Sequence, residues 1–159
     1  MKLSEQENNE LFQILKDYMY DENVLHMKHF CQHGAVSTYD HVMNVTRTCF
    51  YLNRRWNWKC DEKNLVTGAF LHDFYLYDWH SKDNNEHRFH GFRHPLFAMH
   101  NAKKYFNVNH RVQHIIRTHM WPLTPLAIPL TKEAFLVGLV DKYCSLHETF
   151  LQRRCRHAI

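Results

Sequence analysis

Long stretches of this chain contain neither glycine nor proline. Its 159 residues include four Gly and four Pro, and three of the prolines fall close together, at Pro122, Pro125 and Pro129. This distribution favours helices, because a turn-rich β fold needs chain breakers far more often. Hydrophobic residues make up 45% of the chain, which is enough for one ordinary core. We therefore expect a single all-α domain over residues 1–159.

Six segments combine a helix start signal with apolar residues at helical spacing. The start residues are Ser4, Ser37, Asp61, Pro95, Asn109 and Thr131. About six principal helices are therefore expected. The polar segment 81–93 is predicted to be a loop that overhangs a site, and the proline-rich segment 121–129 is predicted to be extended.

The net charge and the cysteine pattern indicate which kinds of binding partner and which cellular compartment to expect. The net charge of +4 mildly favours anionic substrates, but there is no basic stripe interleaved with aromatics, so no nucleic acid polymer is expected. The five cysteines form no CxxC pair, which is typical of reduced thiols in a cytoplasmic protein. No apolar run approaches the roughly 20 residues of a membrane span. The sequence leaves the oligomeric state open.

Histidines and carboxylates fall at helix positions suited to a metal site. His41 follows the Ser37 cap, His72 and Asp73 end the helix that begins after Asp61, and Asp141 lies within an apolar helical run. A buried carboxylate needs a cation or hydrogen-bond partners to offset desolvation. Imidazole and carboxylate together suit Zn, Mn, Fe, Co or Ni. The alternative is that Asp141 belongs to a buried hydrogen-bond network and His72 is a core histidine.

These residues carry a family resemblance. Tyr39-Asp40-His41, Leu71-His72-Asp73 and Val140-Asp141-Lys142 occur in the order seen in the HD superfamily of metal-dependent phosphohydrolases, and the resemblance runs from about Gln32 to Ser145. It implies an all-α HD-domain bundle in which four side chains bind a divalent metal. Those four are His41, His72, Asp73 and Asp141.

Two further histidines resemble the second-metal ligands of binuclear HD proteins. By this resemblance His94 and His119 would hold a second ion and Asp73 would bridge the two. The alternative is that His94 caps its helix and His119 interacts with the dipole at the end of its helix. The resemblance thus implies one or two divalent ions from among Mn, Fe, Co, Ni, Zn and Mg.

The resemblance implies hydrolysis of a phosphate mono- or diester, nucleotide-like or a small phosphorylated metabolite, by a metal-activated water. Leu76 occupies the position where many HD hydrolases carry Lys or Glu, so the substrate is left open. Besides Asp73, the candidate catalytic groups are Asp78 and His80, which would transfer protons; a structural role is the alternative for both. The candidate phosphate contacts are Lys142, Arg47 and Arg93, with ordinary solvated cations as the alternative.

Two other functions are compatible with the same residues. A few HD proteins use a di-iron pair to activate dioxygen and oxidise a C–H bond, and their ligand set would look the same. A non-catalytic module that senses nucleotides and carries a structural metal is the other alternative, because a fold alone does not fix a function.

Overall fold

In a computed structural model, the structure describes residues 2–33, 36–77 and 89–156, with the backbone alone described for residues 33 and 151–156. Within these ranges the protein is all-α, with seven helices and one small antiparallel hairpin. The elements are α1 (Glu5–Leu15), α2 (Glu22–His26), a 3₁₀ turn (Met27–His29), β1 (Cys31–His33), β2 (Val36–Ser37), α3 (Thr38–Arg55), α4 (Glu62–Leu71), α5 (His90–Phe106), α6 (His110–Thr118) and α7 (Lys132–Arg156).

Five of the six predicted start residues cap their helices, so these predictions are confirmed. Each side chain accepts a hydrogen bond from a backbone N–H in the first turn. The five are Ser4, Ser37, Asp61, Asn109 and Thr131. The short helix α2 and the β1–β2 hairpin were not predicted, because segments of five residues or fewer show no measurable periodicity.

The start of α5 differs from the prediction. The helix begins at His90 and contains Pro95, so the prediction of a loop over residues 81–93 is wrong for its last four positions. Pro95 cannot donate to the carbonyl of Gly91, yet the turn before it persists. Contacts of His90 help to stabilise this first turn, because its Nδ1 lies 2.8 Å from the hydroxyl of Tyr77 and its ring stacks on His94. A tertiary contact therefore lengthens the helix beyond its local signal.

Helix α4 lies at the centre of the fold. It is buried from Asn64 to Leu71 and packs against α1, α3, α5, α6 and α7. Gly68 permits a close approach of α6, since an added Cβ would lie 2.7 Å from the Ile115 side chain. The residues that follow α4 consequently lie in the middle of the bundle. In the described part of the chain, we find no helix with the length and apolar character that crossing a membrane requires.

Candidate metal centre

The six predicted metal ligands converge beside the C-terminal end of α4, although they are spread over a hundred positions of sequence. Each is at most 7% exposed. His41 comes from α3, His72 and Asp73 follow α4, and the other three come from α5, from the residue after α6 and from α7. The list is His41, His72, Asp73, His94, His119 and Asp141. Residues on or directly after five separate helices thus build one buried cluster, and helical bundles that bind metals build their sites in this way.

The carboxylate of Asp73 lies between two pairs of histidines. Its Oδ2 is 3.4 Å from Nε2 of His72 and 3.9 Å from Nε2 of His41, which we call the first pair. Its Oδ1 is 3.2 Å from Nε2 of His94 and 3.6 Å from Nε2 of His119, the second pair. One carboxylate therefore presents a different oxygen to each pair, which is the arrangement that a bridging ligand requires.

Asp141 completes the group around the first pair. Its Oδ1 is 3.1 Å from Nε2 of His41 and 3.7 Å from Nε2 of His72, and the hydroxyl of Ser145 donates to the same oxygen. The sequence places this carboxylate within an apolar helical run, and the structure shows it buried, with 7% of the residue exposed. His41, His72 and Asp141 offer ligand atoms that all lie within 4.8 Å of one another, as do those of His72, Asp73 and His119.

Each of the four histidines turns its Nε2 toward the cluster because its Nδ1 is bonded elsewhere. In the neutral ring Nδ1 carries the proton and donates it to an oxygen, which leaves the Nε2 lone pair for a ligand. The acceptors are Glu148 Oε2 for His41 (2.8 Å), the Ala69 carbonyl for His72 (2.7 Å), the His90 carbonyl for His94 (2.9 Å) and the Ile116 carbonyl for His119 (2.7 Å).

The donor atoms of the cluster fit divalent cations. Nε2 of His94 and Nε2 of His119 are 2.9 Å apart, so two lone pairs face each other unless a cation or a proton lies between them. Within the described residues, Nε2 of His72 and Oδ1 of Asp73 make no hydrogen bond although both are buried. Buried polar atoms without partners are costly. A set of four imidazoles and two carboxylates suits first-row divalent metals.

Electrostatics favour a positive charge at the first pair. Burial disfavours the charged imidazole, but hydrogen bonds to Asp141 and Glu148 outweigh it and raise the pKa of His41 to about 9. Burial is likewise outweighed by Asp73 and Asp141 at His72, whose pKa rises to about 10. Desolvation opposes ionisation of both carboxyl groups, but His72 and His94 hold the pKa of Asp73 well below its usual range, and His41 and His72 do the same for Asp141. The carboxylates are therefore ionised, and the first pair carries protons unless a metal replaces them.

The second pair has a different electrostatic setting. Desolvation, together with the nearby rings of His72 and His94, lowers the pKa of His119 to about 3. His119 is consequently neutral at ordinary pH, the form in which an imidazole binds a metal.

Sequence reasoning missed Glu148, which supports His41 from behind. Its Oε2 accepts from Nδ1 of His41, its Oε1 accepts from the side-chain amide of Asn44 at 3.0 Å, and it is 6% exposed. A signal was present in the sequence. Glu148 follows Asp141 by seven residues, or about two helical turns, and so shares its buried face.

Gln32 was also missed as a site residue. Its Nε2 donates to Oδ2 of Asp73 at 2.6 Å, while its Oε1 accepts from the hydroxyls of Tyr75 at 2.6 Å and Thr38 at 3.2 Å. These contacts fix which end of the amide faces the carboxylate. Gln32 lies in β1, a strand too short to leave a pattern in the sequence, so no signal pointed to it.

A cavity of about 510 Å³ opens onto the cluster. Its described lining residues are Gln32, Asp73, His90, Gly91, His94, His119, Met120, Asp141, Lys142, Ser145 and Leu146. The volume falls in the range of roughly 300–1,000 Å³ that is usual for small-molecule sites. One wall is therefore made of the candidate ligands, and Met120 and Leu146 add apolar surface.

Of the three predicted phosphate contacts, Lys142 lies at the cavity, whereas Arg47 and Arg93 are not among its described lining residues. Lys142 lines the cavity, but its ammonium donates to the backbone carbonyls of His119 at 2.8 Å and Gly138 at 3.0 Å, and burial lowers its pKa. Arg47 is exposed and donates to the side chain of Asn8. Arg93 is also exposed and lies over the ring of Phe97 at 5.3 Å. Neither arginine is among the described residues that line the cavity.

Asp78 and His80, the candidate proton-transfer groups, lie outside the described residues.

The protein is an all-α domain with a buried His–Asp cluster, beside its central helix, that could hold a metal. The family model for the HD domain matches residues 38–146, well over half of the chain, and the protein therefore belongs to the HD family. This superfamily consists mostly of metal-dependent hydrolases. The matched range contains all six predicted ligands and excludes Gln32 and Glu148. A search of curated proteins and a search of solved structures returned no match.

Proposed function

We propose that the protein is a metal-dependent phosphohydrolase that cleaves a phosphate mono- or diester of a small molecule. The observation that carries the proposal is the placement of Asp73, whose two oxygens face two separate histidine pairs. A structural metal would need four ligands and no open side, whereas this cluster forms a wall of a cavity of about 510 Å³.

The residues divide into two sets of ligands. His41, His72, Asp141 and Oδ2 of Asp73 would hold one ion. The second pair and Oδ1 of Asp73 would hold the other. Divalent ions at such a site supply a nucleophile at neutral pH by lowering the pKa of water, and they neutralise the charge on phosphoryl oxygens.

Residues around the proposed ligands would fix the orientation of the ligand side chains and contact the phosphate ester. Gln32 fixes the plane of the Asp73 carboxylate, and Glu148 fixes the ring of His41. Lys142 ties the end of α6 to α7, which keeps His119 and Asp141 in register at the cavity wall. The apolar surface of Met120 and Leu146 would contact the organic part of the substrate. Asp78 and His80 remain the candidates for transferring a proton to the leaving group.

The test is metal analysis of protein purified without chelator, followed by a screen of phosphomonoesters, nucleotides and cyclic nucleotides. We expect phosphate release that depends on bound metal and disappears in Asp73→Asn. The matched control is Asp40→Asn, which makes the same change in charge at an exposed position of α3. Turnover that survives in Asp73→Asn would refute the proposal. Iron content with oxygen consumption would instead identify the oxygenase, and tight binding of metal and nucleotide without turnover would identify the sensor.

A further inference from the structure

The segment of residues 123–130, which follows α6, runs across the outer surface of α5 and α6. At its start, Leu123 lies against the first turn of α5, since an added Cβ on Gly91 would be 3.3 Å from Cδ2 of Leu123. At its end, the backbone N–H of Leu130 donates to Nε2 of His114, on α6, at 3.0 Å. The segment and the two helices therefore share one surface.

Exposed apolar side chains meet on this surface. Between the two end contacts, the segment and the helices border a depression of about 370 Å³. Its lining includes Leu126 of the segment, Phe92 and Leu96 of α5, and Arg117 of α6. Leu126 is 97% exposed, and Phe92 and Leu96 are about half exposed. An exposed apolar cluster of this kind marks an interaction surface.

The charges on α5, α6 and the segment have a single sign. From residue 89 to residue 132 the sequence contains no Asp or Glu, and the sixteen acidic residues of the chain all lie elsewhere. The six cations of this range are exposed. In the described part of the chain, the ion pairs of Lys and Arg are those of Arg54 and Arg55, so none of the six is neutralised by an ion pair. The six are Arg93, Lys103, Lys104, Arg111, Arg117 and Lys132.

Two of these cations belong to the apolar surface itself. Arg117 borders the depression beside Leu126. Lys103 follows Leu96 by seven residues, or about two helical turns, and so lies on the same side of α5. The surface thus combines exposed apolar side chains with positive charge. We call it the basic apolar face and define it by Phe92, Leu96, Lys103, Arg117, Leu123, Leu126 and Leu130.

The backbone of the segment has few N–H groups that would lose water in an apolar layer. Pro125 and Pro129 have no N–H. The N–H groups of Leu123, Ala127 and Leu130 already donate within the protein. Five of the eight residues from 123 to 130 therefore add no unsatisfied backbone donor when the segment leaves water.

We propose that the basic apolar face docks on the surface of an anionic lipid bilayer. Leu126 and Leu130, which are 97% and 80% exposed, would enter the boundary of the acyl chains. Arg117 and Lys103 would contact lipid phosphates, because long cationic side chains reach the headgroup layer. Peripheral binding of this kind depends on buried apolar area and on attraction to anionic lipids, and it needs no membrane-spanning helix.

The same features argue against other occupants of the face. A second copy of the chain would bring cations against cations across a twofold axis. Single-stranded nucleic acid would call for aromatic side chains that stack on bases, whereas the two most exposed apolar side chains, Leu126 and Leu130, are leucines. An acidic protein partner is distinguished by the test.

The test is sedimentation of the full chain with vesicles of phosphatidylcholine mixed with phosphatidylserine, compared with vesicles of phosphatidylcholine alone. Wild type should sediment with the mixed vesicles alone, and less so as salt is raised. Leu126→Ser combined with Leu130→Ser should lower the partition coefficient by roughly tenfold or more, because two apolar side chains are lost. Lys103→Gln combined with Arg117→Gln should lower it by roughly 25-fold, at about fivefold for each charge.

Two matched controls change the same kinds of side chain outside the face. Tyr20→Ser combined with Trp56→Ser removes apolar side chains that are 66% and 64% exposed. Lys2→Gln combined with Lys28→Gln removes two exposed cations and makes the same change in net charge. Both controls should bind the mixed vesicles as wild type does. Circular dichroism and thermal melting establish that all four double variants are folded.

The proposal is overturned if wild type stays in solution with the mixed vesicles or binds both kinds of vesicle equally. It is also overturned if the leucine variant binds as wild type does, or if the controls lose as much binding as the face variants. Wild type that ignores vesicles but binds an acidic, leucine-containing peptide would assign the face to a protein partner instead. Sedimentation needs neither metal nor turnover, so its result is independent of the proposed hydrolase activity.

Discussion

Replacing Glu148 by Gln should weaken metal binding at the first pair while leaving the fold intact. In the wild type, one carboxylate oxygen accepts from Nδ1 of His41 at 2.8 Å and the other accepts from Asn44 at 3.0 Å. A glutamine amide accepts on one side alone and presents its own N–H groups on the other. The oxygen can still accept from His41 if Asn44 turns its amide to accept from the glutamine N–H, but the charge behind His41 disappears.

The magnitude follows from the role of a carboxylate behind a metal-binding imidazole. Removing such a partner typically costs 10- to 100-fold in metal affinity, or about 1.4–2.7 kcal/mol. Glu148 also raises the affinity of His41 for a proton, and the pKa of His41 is about 9. Protons compete with the metal below that pH and compete less well in the variant. The loss in metal affinity should therefore be greatest near and above pH 9 and smaller at pH 6.

The assay is competition with a chelator of known affinity, measured for one divalent metal at several pH values. Glu133→Gln is the matched control, because Glu133 lies on the same helix and its carboxylate accepts from the backbone of Asp61 away from the site. We expect the control to retain wild-type affinity. If Glu148→Gln binds metal as tightly as wild type at pH 9, the assignment of Glu148 as the group that orients His41 is wrong.

Three further outcomes are expected. Metal binding to metal-free protein at neutral pH should release protons, because the pKa values of His41 and His72 are about 9 and 10. The metal affinity should therefore fall as the pH falls. Calorimetry in buffers of different ionisation enthalpy measures the number of protons released, and a value of zero would contradict these pKa values. Gly138→Ala should destabilise the fold by about 1–3 kcal/mol in denaturant titration, since an added Cβ would lie 2.9 Å from the His119 carbonyl. Gln32→Leu should cost about 1–3 kcal/mol by leaving a buried oxygen of Asp73 without its donor, and unchanged stability would show that the contact is dispensable.

The positions of the main helices could be predicted because their start signals are local. Ser4, Ser37 and Asp61 satisfy first-turn N–H groups using residues within four positions, and nothing distant is needed. The first turn of α5 could not be predicted in this way. It depends on the contact between Tyr77 and His90, which lie thirteen residues apart and meet only in the folded protein.

The candidate site likewise contains residues that could be predicted from the sequence and residues that could not. Asp141 could be singled out because a carboxylate in an apolar helix is costly. His41, His72 and Asp73 were candidates from their helix positions and matched the HD pattern, and His94 and His119 came from the resemblance alone. The structure brings these side chains together, while their binding of metal remains a prediction. Gln32 and Glu148 contact the ligands across 41 and 107 positions of sequence. Such partners carry no local signature, apart from the helical spacing between Asp141 and Glu148.

The bridging position of Asp73 is the central claim, and metal stoichiometry tests it most directly. Wild type, His119→Ala and Asp73→Ala would be purified without chelator and measured by mass spectrometry of the ions, with thermal melting on the same samples. We expect two equivalents in wild type, about one in His119→Ala, and little or none in Asp73→Ala, because its two oxygens face both histidine pairs. Equal metal content in wild type and Asp73→Ala would contradict the account.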